Sequence, residues 1–174
     1  MGLHKPCSRF LGVEHRSRPI RGRVFTLGRK TLRVSANDAA AILRSERREV
    51  QSPGVEEGRQ GTGQFDDSAF LAMLGVHRVD SIEISDYEDA TIVHDLGDAT
   101  PSSLEGQFDF SYDGRTLDNV FGPVTGVRNV SRPLRHGGRV VRIEHASNDT
   151  NSAYPQSSPS WFSGYCTVNR LADV

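Results

Sequence analysis

The sequence predicts an α/β domain whose mainly parallel sheet is flanked by helices. Short β-branched runs alternate with segments of helical periodicity, which is the order expected of parallel strands joined by crossover helices. With 174 residues, of which 36% are hydrophobic, the chain is long enough to bury a core. Several strand-like runs are followed by carboxylates, and in a parallel sheet these strand ends meet at one edge. We therefore expect a ligand site at that edge.

The first 21 residues are expected to form an irregular basic arm, followed by a single domain over residues 22–174. Residues 1–50 carry 12 Lys and Arg against 4 Asp and Glu, whereas residues 51–174 carry 9 against 18. This split fits docking of the arm onto the acidic part of the same chain, or onto a second copy. Nucleic acid is disfavoured as a partner, because aromatic residues do not interleave with the basic ones.

The first half of the domain is predicted to hold one strand, two helices and a long loop. Gly22–Gly28 has the pattern of a buried strand that ends at glycine. One helix begins near Ser35, which can cap its amino end, and a second lies within Phe65–Gly75. Between the helices, the polar and Gly-rich stretch near residues 44–64 is predicted to be a flexible loop.

The second half is predicted to hold four further strands and one helical stretch. The strands are Arg78–Ser85, Ala90–Leu96, Gln107–Gly114 and Gly137–Ala146, and the helical stretch is Thr116–Leu134. A parallel crossover normally needs about a dozen residues, and far fewer separate the first two of these strands. Either this connection is a single turn before a very short strand, or the pairing there is irregular.

The ends of the predicted strands supply the candidate site residues. Gly28 ends the first strand, Glu83 and Asp86 lie around the end of the second, Asp95 ends the third, and Tyr112, Asp113 and Gly114 end the fourth. One carboxylate can accept hydrogen bonds from both hydroxyls of a ribose, and Glu83 is the candidate for that role. Asp95 is placed to accept from an exocyclic amine such as that of adenine, with Leu96 against the ring. For each acid alone, a solvated carboxylate or a helix cap is the alternative.

These motifs, in their order and spacing, resemble the class I S-adenosylmethionine-dependent methyltransferases. The stretch VDSIEIS (residues 79–85) resembles the family's second strand with its ribose-binding acid. Residues 91–121 are similar to the region that carries the adenine-side aspartate and the fourth strand, and residues 129–145 resemble the helix, Gly-Gly turn and fifth strand that follow. The resemblance covers roughly residues 22–150.

The resemblance implies a Rossmann-like fold that binds S-adenosylmethionine and transfers a methyl group to a small molecule, for example in secondary metabolism. It implies cofactor contacts from Gly28, Glu83, Asp86, Asp95, Leu96 and Tyr112, and catalytic roles for Asp113 and Asp118. The sequence lacks the last two strands of the full methyltransferase fold. We therefore expect the fifth strand to form an edge of the sheet, and a homodimer is one way to cover such an edge.

Two positions depart from the family pattern. Arg29 and Lys30 follow Gly28, where the family has a Gly-rich loop that approaches the methionine part of the cofactor. If they do not simply point to solvent, these cations suit a carboxylate or phosphate better than a sulfonium. Asn119 stands where related chains tend to have a histidine, and an asparagine cannot accept the proton that a general base would take. Two other interpretations therefore stay open: different chemistry on a nucleoside or sugar-nucleotide substrate, or a non-catalytic partner subunit.

Other features of the sequence concern metal binding, cellular location and the aromatic residues near the carboxyl terminus. The two cysteines lie near opposite ends of the chain, and no metal-ligand spacing is present. No apolar run could cross a bilayer and the amino terminus has no secretory signal pattern, so we expect a cytoplasmic location without membrane contact. Tyr154 is a predicted lid residue, and the aromatic residues after it share one helical face: Trp161, Phe162 and Tyr165.

Overall fold

The computed structural model describes residues 2–46, 65–146, 151 and 153–172. The predicted flexible loop near residues 44–64 lies almost entirely outside these ranges. The strands are β1 (Gly2–Leu3), β2 (Val24–Leu27), β3 (Thr31–Leu32), β4 (Val79–Glu83), β5 (Ile92–Val93), β6 (Phe108–Gly114) and β7 (Leu134–Ile143). The α-helices are α1 (Lys5–Ser17), α2 (Ala36–Ser45), α3 (Asp67–Met73), α4 (Pro123–Ser131) and α5 (Pro159–Val168), and short 3-10 turns cover Tyr87–Asp89, Ser102–Leu104 and Leu117–Asn119.

The central sheet has five parallel strands in the order β5-β4-β2-β6-β7. Helices lie on both of its faces, so the predicted Rossmann-like α/β fold class is confirmed. From β2 the chain first builds outward to β4 and β5, and then returns to build β6 and β7 on the other side. The strand order therefore reverses at β2, and its carboxyl end is the place where such sheets bind ligands.

Alternating side chains of the strands pack into two separate cores, one on each face of the sheet. Val24 packs into a core covered by α1, α2 and α3, whereas its neighbour Phe25 packs into a core covered by α4 and α5. All four residues of β2 are buried, because this central strand is covered on both faces. Because β2 packs against both cores, its carboxyl end is held in a fixed position at the edge of the sheet.

The amino-terminal segment forms helix α1, where an irregular arm was expected. The helix packs on α2, and two of its arginines, Arg9 and Arg16, contact the buried carboxylate of Glu46 at 3.0 and 3.2 Å. Glu14 in the same helix pairs with Arg139 of β7. Several charges of the basic segment thus lie against acids of the same chain.

The connection between β4 and β5 is a single turn, Tyr87–Asp89, and β5 has two residues. Of the two alternatives left open for this region, the short third strand is confirmed. The predicted strand over Ala90–Leu96 is too long because the Thr91 side chain takes part in the pairing: its hydroxyl accepts from the Ser81 backbone N–H at 2.7 Å.

Two further predicted limits need correction. The helical stretch Thr116–Leu134 divides into the turn Leu117–Asn119 and helix α4. Gly122 lies between them, and α4 begins at Pro123 because proline favours the first turn of a helix. The last strand begins at Leu134, before the predicted start, and its register against β6 shifts between Phe108 and Phe110. None of the helices in the described ranges is long and apolar enough to cross a membrane.

Candidate functional site

The carboxyl ends of β2, β4 and β6 bring together Gly28, Lys30, Glu83 and Thr116, and we name this place the switch crevice. Gly28 has a φ of +69°, which favours glycine, and its N–H donates to the Ile82 carbonyl at 2.8 Å. A β-carbon at position 28 would lie 2.6 Å from Glu83 Oε1. The Glu83 carboxylate therefore lies directly against the backbone at the residue that follows β2.

Lys30 fills the same crevice from the other side. Its side chain is 7% exposed, and its Nζ lies 3.2 Å from the position that a Gly28 β-carbon would take. The Nζ donates to Thr116 Oγ1 at 2.7 Å, and the Thr116 hydroxyl donates in turn to the Leu27 carbonyl at 2.6 Å. Of the two arrangements considered for Lys30, the structure shows the one in which it turns inward.

Acids surround the Lys30 ammonium group. Burial lowers the pKa of Lys30, and the negative charges of Asp113, Asp67, Glu83 and Glu88 oppose that shift. Asp67 opens helix α3, where its backbone N–H donates to the Lys30 carbonyl at 2.9 Å. Burial, with a smaller contribution from Asp66, raises the pKa of Asp67 to about 7. Lys30 is therefore the positive centre of a mostly buried group of acids.

Asp113 holds the loop that forms the Thr116 side of the crevice. Its side chain has no exposed surface, and Oδ1 accepts from the Thr116 N–H at 2.8 Å while Oδ2 lies 3.4 Å from Arg142 Nε. Burial raises the pKa of Asp113, and the Thr116 N–H and the charges of Arg142 and Lys30 oppose the shift. In this position Asp113 fixes the loop that carries Thr116. Its predicted catalytic role stays a prediction.

A second charged group lies at the ends of β6 and β7. Asp118 is buried, with Arg115 Nε at 3.7 Å and His145 Nε2 at 3.8 Å from its Oδ2. Glu144 pairs with Arg142, yet burial raises the pKa of Glu144 to about 7. Burial also raises the pKa of Asp118. A carboxylate and an imidazole thus lie next to each other at the turn that carries Asn119.

The remaining predicted cofactor contacts lie at different depths. Asp86 and Asp95 are exposed, and Asp95 Oδ1 accepts from the Gly97 N–H at 2.7 Å, which forms a tight turn. Leu96 is buried in the core under α4, and the Tyr112 ring is buried in the core under α1–α3. The structure thus brings Gly28 and Glu83 together and leaves Tyr112 inside the fold, away from the surface of the edge.

An aromatic pair lies beside Asp118. The rings of Phe121 and Tyr154 stack with their centroids 4.6 Å apart, and both side chains are exposed. The Tyr154 N–H donates to the Asp118 carbonyl at 2.8 Å, which ties the loop before α5 to the loop after β6. Tyr154, the predicted lid residue, is therefore positioned at the same edge as the switch crevice.

A cavity of about 290 Å³ opens at the opposite edge of the sheet, lined by residues 19–22 and 74–77 together with His15. It lies at the amino ends of β2 and β4, where the Arg23 Nε donates to Asp80 at 3.0 Å. We assign the candidate site to the carboxyl edge, because the strand order reverses there and the charged groups of the crevice converge there. Within the described parts of the chain, no group of three or more His, Cys, Asp or Glu could hold a metal ion.

The crevice fits part of S-adenosylmethionine and conflicts with another part. A glycine, which has no side chain of its own, and an adjacent carboxylate suit the ribose of an adenosyl group. The Lys30 ammonium against the same glycine does not suit a positively charged sulfonium. Sequence reasoning noticed Lys30 but did not identify Thr116, Asp67 or Arg142. The signal for Arg142 was a positive charge inside the otherwise apolar run VVRI.

Comparisons with known proteins add little to this geometry. No protein-family model matches the chain, and no curated protein matches its sequence. Among solved structures, the crystal structure of trans-methyltransferase CalH complexed with SAH is similar at a TM-score of 0.36 and 14% sequence identity. The similarity covers 78% of this chain and 34% of the CalH chain, so this chain spans about a third of that protein's length. The functional argument therefore rests on the strand order and on the residues of the switch crevice.

Proposed function

We propose that this protein is a methyltransferase-like domain that binds an adenosyl ligand in the switch crevice. The observation that carries the proposal is the Glu83 carboxylate, held against Gly28 at the reversal of strand order. The two oxygens of Glu83 can accept both ribose hydroxyls, while Gly28 lets the ligand approach the backbone. Asp95, which is exposed, is the proposed acceptor on the adenine side.

The finer proposal is S-adenosylmethionine-dependent methylation of a small molecule. S-adenosylmethionine, when bound, supplies an electrophilic methyl group, and the protein's main task is then to align the acceptor with it. The Phe121–Tyr154 pair offers a flat apolar surface for an acceptor, and Asp118 with His145 lies next to it. We further propose a single domain that acts in the cytoplasm, either alone or as a homodimer.

A second candidate is different chemistry on a nucleoside or sugar-nucleotide substrate. The Lys30 ammonium favours it, because a cation in the crevice suits a ligand with a phosphate or carboxylate next to its ribose. Glu83 would hold the ribose in both cases. A non-catalytic partner subunit is the interpretation that remains if the crevice binds no adenosyl ligand.

Isothermal titration with S-adenosylmethionine and S-adenosylhomocysteine tests the proposal, and Glu83→Gln is the critical variant. We expect the wild-type protein to bind at least one of the two ligands. Loss of the charged acceptor is expected to weaken that binding by about 2 kcal/mol, or about thirtyfold. Glu105→Gln is the matched control, because Glu105 is an exposed acid that pairs with Arg132 at 3.3 Å outside the crevice.

Absence of binding by the wild-type protein, at concentrations that would reveal a sub-millimolar site, contradicts the adenosyl proposal. Titration with uridine diphosphate glucose and adenosine diphosphate then tests the second candidate. Equal affinities for Glu83→Gln and Glu105→Gln would show that the ligand binds somewhere other than the switch crevice.

A further inference from the structure

Gly28 lies between two side chains of opposite charge. Glu83 Oε1 and Lys30 Nζ both approach the position that its β-carbon would take, at 2.6 and 3.2 Å. We infer that Lys30 is a specificity-determining residue that makes the crevice favour an adenosyl ligand with a neutral sulfur over one with a sulfonium. The inference rests on the proposed adenosyl function and names the charge state of the ligand.

The chemistry of the ligand places its sulfur near Lys30. In an adenosyl group, the sulfur is attached to C5′, one bond from the ribose ring. If the ribose hydroxyls bind Glu83, a sulfur that extends along the carboxyl end of β2 passes over Gly28. Lys30 occupies that path, because its Nζ lies against the same glycine. A sulfonium there would meet an ammonium group a few ångströms away.

Lys30 is held in place by contacts from three elements. Thr116, after β6, accepts the hydrogen bond of the Nζ at 2.7 Å and is itself bonded to the Leu27 carbonyl of β2. The Lys30 carbonyl accepts from the N–H of Asp67 in α3. With 7% of its surface exposed, the side chain has little solvent to turn into. The Lys30 amino group is therefore held at a fixed position in the crevice.

The neighbouring acids differ in how far they offset this charge for a ligand in the crevice. Asp113 is paired with Arg142 at 3.4 Å, whereas Glu83, even when bound to ribose hydroxyls, and Glu88 keep negative charges that offset part of the repulsion from Lys30. Burial raises the pKa of Asp67 to about 7, so this acid carries only part of a charge near neutral pH. Repulsion between two unit charges about 6 Å apart in such an environment corresponds to a preference of about tenfold or more.

The test compares three ligands and three protein variants by isothermal titration. S-adenosylhomocysteine has a neutral sulfur, S-adenosylmethionine has a sulfonium, and sinefungin carries a charged amine at the corresponding position. Lys30→Met removes the charge and retains an apolar chain of similar length. Arg29→Met is the matched control, because Arg29 is the adjacent cation in the sequence and its side chain is only partly buried. Lys30→Gln is the second variant, used if Lys30→Met does not give a cooperative thermal transition.

We expect the wild-type protein to bind S-adenosylhomocysteine at least about tenfold more tightly than S-adenosylmethionine or sinefungin. In the Lys30 variants this ratio is expected to fall below about threefold, mainly because the two cationic ligands bind more tightly. Arg29→Met should keep the wild-type ratio.

Three results would overturn the inference while leaving the proposed function in place. One is a wild-type ratio near one. Another is an unchanged ratio in the Lys30 variants, including the case in which all three ligands tighten equally because the side chain only blocks space. The last is a folded Lys30 variant that loses all three ligands. If neither the wild-type protein nor the Lys30 variants bind any adenosyl ligand, the proposed function fails together with the inference.

Discussion

Asp67 offers a direct test of the electrostatics around Lys30, because its charge state controls stability. Its side chain is 2% exposed, and burial raises its pKa from 3.8 to about 7. The adjacent Asp66 adds to this shift, while Arg29 and Lys30 oppose it. Between these two pKa values the folded chain holds a proton that the unfolded chain releases. The free energy of unfolding should therefore fall as the pH rises from about 4 to about 7, and this contribution should be constant above that range.

The size of the effect follows from the same two pKa values. A difference from 3.8 to about 7 corresponds to at most about 4 kcal/mol of stability lost at alkaline pH. Asp67→Asn keeps the shape of the side chain and removes its titration. We expect this variant to be more stable than the wild-type protein by about 1.5 kcal/mol near pH 5 and by about 4 kcal/mol near pH 8, because the unfolded wild-type chain is already ionised at pH 5.

Urea denaturation followed by Trp161 fluorescence at both pH values measures this difference. Asp98→Asn is the control, since Asp98 is exposed and should change stability by less than about 0.5 kcal/mol at either pH. If the difference between Asp67→Asn and the wild-type protein is the same at both pH values, Asp67 does not titrate in this range. The description of the buried acids around Lys30 would then be wrong.

Two further substitutions test the crevice and its support. Gly28→Ala should lose about 1–2 kcal/mol of stability and most of its adenosyl binding. Gly106→Ala is the control, because Gly106 has a φ of +63° and open space around it, so this variant should show the same backbone strain and keep binding. Titration calorimetry with thermal melts compares the pair, and equal binding by both would argue against close approach at Gly28. Arg142→Met should reduce stability by about 3–5 kcal/mol, because it leaves Asp113 and Glu144 buried without their cation. Its loss should be smaller near pH 5, where acids with raised pKa values hold protons, and urea denaturation showing no such pH dependence would contradict the assignment.

Much of the fold could be predicted because strands buried on both faces have a strong sequence pattern. The runs around VFTL and FDFSYDG are apolar and β-rich, and both form central strands of the sheet. Helix α1 could not be predicted in this way, because its buried face combines small and polar residues: Ser8, Leu11, Gly12 and His15. Gly12 allows close packing on Leu43 of α2, a contact that depends on tertiary structure.

The candidate site was predictable to the extent that it follows from strand ends. Gly28 and Glu83 each end a strand, so their meeting follows from a parallel sheet with neighbouring strands. The inward turn of Lys30 does not follow from the local sequence, since a lysine after a strand usually extends into solvent. It depends on Thr116, which is 86 residues away along the chain and reaches Lys30 only through the pairing of β2 with β6.

Residues 30–32 pair with residues 65–67, so the position of Lys30 in the crevice depends on these paired ends and not on the length of the chain between them. The Lys30 carbonyl accepts from the Asp67 N–H, and the Leu32 N–H donates to the Phe65 carbonyl. The two ends of that stretch therefore meet beside the Lys30 side chain. The entropy of closing a loop grows only with the logarithm of its length, by about 0.6 kcal/mol for each doubling. Insertions or deletions between α2 and Phe65 are therefore expected to leave the Lys30 cation beside these paired ends in place.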